Sequence, residues 1–308
     1  MRALWLAALL GACAVSGMAR AASLQLCSAA PTLTATQQDR LLRFSAIVRR
    51  ELEASGESVA LVARSGLALG RFGVRFTHAG ISLKASPNGP WSVRQLYFAC
   101  AEGRPRLYDQ GMAGFVFGTD DPALGHVSIV LLPPAEADAL QRAALDTPLA
   151  LRLLAGTYSA NAHAHSLRYQ NCNQWVVELL ATAWGGPGID AGHPQADADS
   201  APRGRAQRWL AAQGYAPQPI ELGSHPMMAA AGFVPWLYFD DHPPDDLFAL
   251  RFRTTMPASI EAFVRAHVPG ARRLELCHDG RQVVIHHGWE PVAEGCRPGE
   301  GDRVAALD

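Results

Sequence analysis

The chain has 308 residues, a formal net charge of −1 at pH 7 and 18% charged residues. This length suits one large domain or two small ones. The sequence contains no long block of basic residues, which argues against nucleic-acid binding and against a polybasic membrane-binding surface.

The N-terminus has the pattern of a secretory signal. A basic residue at position 2 precedes an apolar run, which ends before an Ala-x-Ala site at residues 19–21. This pattern predicts that residues 1–21 are a signal peptide and that the protein is periplasmic or secreted. An alternative is a lipoprotein signal, Leu-Gly-Ala-Cys at residues 10–13, with Cys13 as the lipidated residue. No later segment approaches 18 uninterrupted apolar residues, so we expect no transmembrane segment after cleavage.

Apolar periodicity then predicts helices and strands in an order typical of an α+β fold. The first predicted helix is Thr36–Ala54, and the predicted strands are Val59–Ala63, Val74–Lys84, Trp91–Cys100, Leu107–Gln110 and Val127–Leu132. Further helices are predicted at Ala135–Leu145, Leu149–Ala155 and Cys172–Trp184. Asn-Gly at positions 88–89, inside a Pro-rich link, indicates a hairpin between the second and third strands. We therefore expect residues 22–184 to form a core in which an antiparallel sheet packs against helices.

The last 124 residues divide into two segments of different composition. Residues 185–245 are rich in Pro and Gly, which predicts loops with one short helix at 204–213. Residues 246–308 predict a C-terminal extension packed on the same domain. Its expected elements are a strand at Leu247–Arg253, a helix at Ile260–His267 and a hairpin formed by Arg272–Cys277 and Gln282–His287.

Cysteine usage points to one unpaired thiol. Export implies an oxidising compartment, where paired cysteines persist. Five cysteines follow the signal, an odd number, so at least one has no intramolecular partner. The simplest pairing is Cys277 with Cys296, close together near the C-terminus, and Cys27 with Cys100. This pairing leaves Cys172 free.

Cys172 lies in Asn171-Cys172-Asn173-Gln174, directly before an apolar, helix-compatible segment. Asn171 can cap the helix, which places the thiol in the first turn. Backbone N–H groups and the helix dipole favour a thiolate at that position, and a thiolate is a nucleophile. A cysteine nucleophile needs a base, and the best candidate among eleven histidines is His78, at the start of a strand beside small residues.

These motifs resemble a known group of enzymes. His-Ala-Gly-Ile on a strand, followed about a hundred residues later by Asn-Cys-x-x-aromatic at a helix start, resembles circularly permuted papain-like hydrolases, the NlpC-type and lecithin:retinol acyltransferase-like enzymes. Residues from about 59 to 184 resemble more closely a secreted bacterial family of unknown function. The resemblance implies a circularly permuted papain-like fold and a thiol hydrolase or acyltransferase, with Cys172 as nucleophile and His78 as base.

The sequence departs from the acyltransferase pattern at one point. Those relatives carry a second histidine where this chain has Pro90, so another group must orient His78. If the hairpin turns near residues 87–89, the partner strand brings Gln95 to Tyr97 opposite His78, and Gln95 is the better orienter. Tyr97 and Asp109 remain alternatives. We assign substrate binding to the polar neighbours of the proposed dyad, which are Asn171, Asn173, Gln174 and Tyr97.

The function expected from these residues is a periplasmic cysteine hydrolase or acyltransferase acting on an amide or ester bond of a cell-envelope peptide or lipid. The alternative is a non-catalytic envelope protein that binds peptide or lipid in the same cleft. No cofactor is expected. Neither a nucleotide-binding motif nor a serine-hydrolase motif occurs, so those two functions have no support. A metal site could use His163, His165 and Cys172 with His286 and His287, but no metal-binding motif supports it.

Overall fold

The computed structural model describes residues 33–186 and 202–307. The predicted signal peptide, the possible lipidation site Cys13 and the predicted disulfide partner Cys27 lie outside the described residues. The helices are α1 Ala35–Ala54, α2 Met112–Val116, α3 Pro134–Leu145, α4 Thr147–Arg152, α5 Cys172–Gly185, α6 Pro202–Ala212, α7 His225–Ala231, α8 Pro244–Phe248 and α9 Pro257–His267. No helix within these ranges is both long and apolar enough to cross a membrane.

Ten strands form two sheets. The strands are β1 Val59–Arg64, β2 His78–Leu83, β3 Ser92–Ala99, β4 Arg104–Gln110, β5 Gly125–Leu131, β6 Gln218–Glu221, β7 Arg251–Thr254, β8 Arg272–His278, β9 Gln282–His287 and β10 Arg303–Ala306. The large sheet has the order β10-β9-β8-β5-β1-β2-β3-β4, and β6 pairs with β7 separately. Every pairing between these strands is antiparallel. The molecule is thus a mixed α/β structure with a large antiparallel sheet packed against helices.

The central strand β1 is buried along its whole length because helices cover both faces of the sheet. Alternate side chains point to opposite faces. Val59, Leu61 and Ala63 belong to the core that contains α5, whereas Ala60 and Val62 belong to the core that contains α1. We call these the α5 face and the α1 face. The alternation decides on which side each site residue of β1 and β2 lies.

Helix α1 closes the α1 face, and local sequence explains where it starts. Thr34 and Gln37 form a capping box, with the Thr34 hydroxyl accepting from Gln37 N at 3.3 Å. The residues that it buries recur at helical spacing and are Leu41, Phe44, Ile47, Val48 and Leu52. This helix agrees with the prediction to within one residue at its start.

The β2–β3 hairpin depends on two glycines. Gly89 turns the chain with a φ of 116°, a backbone conformation that side chains with a Cβ rarely adopt. At Gly80, a Cβ would lie 2.5 Å from Cγ1 of Val93, so only glycine allows β3 to approach this closely. Regular pairing with β3 covers only Ile81–Leu83 of β2, and the start of β2 finds other partners.

The C-terminal extension continues the same sheet. Strand β8 pairs with β5 from Arg272 to His278, so the extension and the core share one sheet. The predicted Cys277–Cys296 disulfide is present and closes the loop that follows β9. Cys100 is also disulfide-bonded, and Cys172 is a free, buried thiol.

Candidate functional site

Cys172 is the first residue of α5. Asn171 has an extended backbone, and its Oδ1 accepts a hydrogen bond from Gln174 N at 2.7 Å, as an N-cap does. The following residues, from Trp175 to Ala181, are buried, so packing holds the first turn in place. Cys172 is only 8% exposed.

Three amide side chains around the thiol bind the protein itself. Asn171 Nδ2 donates to Thr254 Oγ1 at 2.9 Å, and Gln174 Nε2 donates to the Ser166 carbonyl oxygen at 3.1 Å. Both side chains are fully buried. The positions of Asn171 and Gln174 therefore favour a structural role over the predicted contact with substrate, although Gln174 Oε1 is buried without a hydrogen-bond partner among the described residues.

Asn173 links the cysteine helix to the histidine strand. Its Oδ1 accepts from Ala79 N at 2.9 Å, and its Nδ2 donates to the Thr77 carbonyl oxygen at 3.1 Å. These are the two backbone neighbours of His78, at the part of β2 that does not pair with β3. The residue next to Cys172 thus replaces a β3 partner and fixes the backbone on both sides of His78. Asn173 is itself buried, which again favours a structural role.

The His78 imidazole is held by β3. Its Nε2 lies 2.8 Å from Gln95 Oε1, and the Tyr97 ring stacks on it at 4.7 Å between centroids. Gln95 Nε2 donates to Gln110 Oε1 at 2.9 Å, which fixes the orientation of the Gln95 amide. Since an amide oxygen only accepts, Nε2 of His78 carries the proton and Nδ1 of the neutral ring has a lone pair. The structure thus brings Gln95 and Tyr97 to His78, and Asp109 instead pairs with Arg94.

Arg64 lies directly opposite His78 in the β1–β2 ladder. Its Nη2 donates to Tyr97 Oη at 3.0 Å, and its Nη1 donates to the carbonyl oxygens of Ser65 and Gly118. The guanidinium therefore stands beside the histidine and is held by the same tyrosine that stacks on it.

Burial controls the ionisation of both groups. Burial raises the pKa of the Cys172 thiol to about 11, although the Arg64 charge, backbone N–H groups of Asn173 and Cys172, and the Tyr158 hydroxyl all act to lower it. Burial and the Arg64 charge lower the pKa of His78 to about 3, and the hydrogen bond to Gln95 only partly opposes them. The expectation of a thiolate favoured at the helix start is corrected here, because burial outweighs the dipole and the N–H donors.

The Cys172 thiol and the His78 imidazole lie on different faces of the large sheet. Alternation along β2 directs His78 to the α1 face, where its ring lies 6.1 Å from that of Phe115, while α5 packs on the other face. The hydrogen bonds of the described residues do not include one between Cys172 and His78. The link between the two faces is Asn173, which follows Cys172 and bonds the backbone on both sides of His78.

Tyr158 lies beside the thiol and packs against another aromatic residue. Its hydroxyl acts to lower the pKa of Cys172, and its ring lies 5.3 Å from that of Phe98, which in turn lies 6.2 Å from that of Trp236. Tyr158 and Arg64 were missed in the sequence, because neither belongs to a recognisable motif. The one signal for Arg64 is a basic residue directly after a buried apolar strand.

The histidines of the proposed metal site lie in separate places. The rings of His163 and His165 are 5.9 Å apart, while His286 Nδ1 lies 2.7 Å from Asp302 Oδ1 near β10. Within residues 33–186 and 202–307, no group of three or more histidine, cysteine or acidic side chains is arranged to hold a metal ion.

Comparison with known families identifies the chain at the level of family. Residues 51–264 match a family described as an uncharacterized protein conserved in bacteria (DUF2145). The chain belongs to the DUF2145 family. The matched residues include Arg64, His78, Gln95, Tyr158 and Cys172, whereas β8, β9 and β10 lie beyond them. No curated protein and no solved structure matches this DUF2145 protein.

The raised thiol pKa predicts slow alkylation of the native protein. With a pKa of about 11, the thiolate fraction of Cys172 rises about tenfold with each pH unit from 7 to 10. Iodoacetamide labelling of the native protein should therefore rise about tenfold per unit with no plateau below pH 10. In the denatured chain the labelling rate should reach half of its plateau near pH 8.5, the ordinary thiol pKa, and level off about one unit above it. A native plateau at pH 7 would contradict the burial argument.

Proposed function

We propose that this DUF2145 protein is a cysteine hydrolase or acyltransferase that acts on an amide or ester bond of a cell-envelope peptide or lipid. Cys172 is the nucleophile, His78 the base and Gln95 the residue that orients His78. The observation that carries the proposal is the double hydrogen bond of Asn173 to Thr77 and Ala79. It ties the turn that bears the free thiol to the backbone that bears His78, whose imidazole is held by Gln95.

The proposed reaction proceeds through a thioester. Nδ1 of His78 takes the thiol proton of Cys172, the sulfur attacks the carbonyl carbon, and the carbonyl π electrons move to oxygen. The intermediate then collapses, the C–N or C–O bond breaks, and His78 gives its proton to the leaving amine or alcohol. Water, or an acceptor hydroxyl or amine, next attacks the thioester and passes its proton through His78 to the departing sulfur. Hydrolysis and transfer differ only in this acceptor.

The start of α5 supplies donors for the oxyanion. The first N–H groups of a helix have no partner inside the helix, and they point towards its N-terminus. The N–H groups of Cys172 and Asn173 act to lower the pKa of the thiol in the free protein, so they lie close to the sulfur. Either can turn to the substrate oxygen once negative charge develops there.

The free protein is the resting form in this proposal. Burial keeps the thiol and the imidazole neutral, and Tyr158 lies beside the sulfur, which is buried. A substrate that displaces Tyr158 brings polar groups to the site, and these stabilise the ionised forms that burial disfavours. We accordingly propose that reactivity depends on bound substrate more than on pH.

We extend the proposal to the type of fold and to the compartment in which the protein acts. The fold is a circularly permuted papain-like one, supported by the chain order of His78 before Cys172 and by a helix start set against an antiparallel sheet. The protein is periplasmic or secreted, which the Cys277–Cys296 disulfide supports, since such bridges persist in oxidising compartments.

A cross-linking experiment tests the dyad. 1,3-Dibromoacetone first alkylates the thiol and then bridges to a nitrogen within reach of its three-carbon chain. At pH 9 we expect peptide mapping to show Cys172 joined to His78. His78→Ala should give only the singly alkylated protein, and the control His126→Ala should keep the cross-link. Alkylation of Cys172 without any bridge to His78 would reject the dyad and leave the non-catalytic binding protein as the better proposal.

A further inference from the structure

Arg64 is a buried cation, only 5% exposed, that forms no ion pair with a carboxylate within residues 33–186 and 202–307. The other buried arginines pair with carboxylates at 2.6–2.8 Å: Arg94 with Asp109, Arg203 with Glu178 and Arg273 with Glu261. A guanidinium cannot lose its proton in a protein, and an unpaired buried charge is strongly disfavoured. The position therefore calls for an explanation beyond packing.

The surrounding chain makes room for this side chain. A Cβ at Gly66 would lie 2.6 Å from Nη1, and a Cβ at Gly118 would overlap the guanidinium. The partners of Arg64 are neutral oxygens of Ser65, Gly118 and Tyr97, while its Nε is buried with no partner. These contacts hold the group in place without neutralising it.

The nearby carboxyl of Asp120 does not supply the missing counter-charge. The Arg64 charge acts on it, but burial and neighbouring Asp121 still raise the pKa of Asp120 above its ordinary value. A true ion-pair partner would have a lowered pKa. Arg64 instead lies opposite His78 in the β1–β2 ladder and bonds the Tyr97 that stacks on this histidine. Its charge lowers the pKa of both His78 and Cys172.

We propose that Arg64 is the fixed cation of the Cys172 site, a positioning residue that keeps His78 neutral and supplies the counter-charge for the Cys172 thiolate. This inference rests on the proposed function. The partner missing from the resting structure is the negative charge that the reaction creates on sulfur. A proton placed on His78 beside Arg64 is strongly acidic, so it passes readily to the leaving group. Arg64 thus disfavours a lasting thiolate–imidazolium pair and favours proton transfer through His78.

Neutral variants of Arg64 test the inference without any substrate. Arg64→Met keeps the length of the side chain, and Arg64→Gln keeps an amide that can donate to the same carbonyl groups. An opposite charge at this range shifts a pKa by one to three units. We expect iodoacetamide to label Cys172 at pH 9 at least about tenfold more slowly in both variants, and NMR to show a higher pKa for His78. Arg64→Lys keeps the charge and should label within about threefold of the wild type.

Arg94→Met is the matched control. Arg94 is equally buried, but its charge is paired with Asp109, so its loss should leave the labelling rate of Cys172 unchanged. Should Arg64→Met fail to fold, Arg64→Gln still provides a site without the charge. Arg64→Lys keeps the charge but changes the shape of the side chain, so it separates these two effects. Unchanged labelling in a folded neutral variant, or equal slowing in Arg64→Lys, would overturn the proposal. Labelling of Cys172 needs no turnover, so it is independent of the proposed reaction. If the cross-link to His78 fails but the neutral Arg64 variants still label more slowly, the enzyme reaction is rejected and the role of Arg64 is not.

Discussion

Replacing Glu178 by alanine is expected to lower the free energy of unfolding by about 3–5 kcal/mol, the usual cost of removing one partner of a buried ion pair. The Glu178 carboxylate is fully buried in α5. It accepts from Arg203 Nε at 2.8 Å, from Gln207 Nε2 at 2.7 Å and from Gln170 Nε2 at 2.7 Å. Without it, the Arg203 guanidinium stays buried with only carbonyl partners and α6 loses its main polar link to α5.

Urea denaturation followed by circular dichroism measures this loss. Asp39→Ala is the matched control, because Asp39 also pairs with an arginine, but the pair is exposed on α1 at 2.8 Å. Exposed pairs contribute about 0–1 kcal/mol, so this variant should unfold close to the wild type. If both variants lose the same small amount of unfolding free energy, the buried pair of Glu178 and Arg203 does not stabilise the fold as we expect.

Local patterns in the sequence predict the elements that carry the site. The turn at Asn-Gly sets the hairpin, and counting back along β3 places Gln95 and Tyr97 opposite the start of β2. The observed register, with Ile81 against Arg94, agrees with that count. The start of α5 is equally predictable, because Asn171 is a strong N-cap before a continuous apolar run. In both cases the determining contacts lie within a few residues along the chain.

Long-range contacts explain what the sequence does not predict. Arg64 reaches His78 only through the β1–β2 ladder, and Tyr158 reaches Cys172 from a segment without regular structure. The thiol pKa was predicted in the wrong direction because a helix start is visible in the sequence, whereas the depth of burial depends on packing from distant segments. The two hydrogen bonds from the Asn173 side chain to the backbone beside His78 were missed for the same reason, since they depend on where β3 stops pairing with β2.

The C-terminal half shows the limits of periodicity for short elements. Residues 185–245 were predicted as loops with one helix at 204–213, and the described part contains that helix as α6 together with β6, α7 and the start of α8. Strand β7 begins at Arg251, later than predicted, because α8 takes up the preceding residues. Strand β10 was not predicted, since its four partly or fully exposed residues show no buried alternation.

Acylation of the protein is expected to disappear on replacement of Cys172 by serine, the largest functional effect that the proposal predicts. A p-nitrophenyl ester supplies an activated carbonyl, and one turnover should add one acyl group to the intact mass while p-nitrophenolate is released. Serine changes the volume little, so the variant should remain folded. His78→Ala should slow acylation by about 10²–10⁴, the usual contribution of a general base.

The double variant separates a catalytic unit from two independent residues. If His78 acts only through the Cys172 thiol, Cys172→Ser with His78→Ala should lose no more activity than Cys172→Ser alone. His163→Ala is the control, because His163 is a half-buried histidine outside the site, and it should acylate at the wild-type rate. Acylation of His78→Ala at the wild-type rate would show that His78 does not take the thiol proton. Acylation of Cys172→Ser at the wild-type rate would remove the thiol from the reaction, because no other free cysteine lies in the described residues.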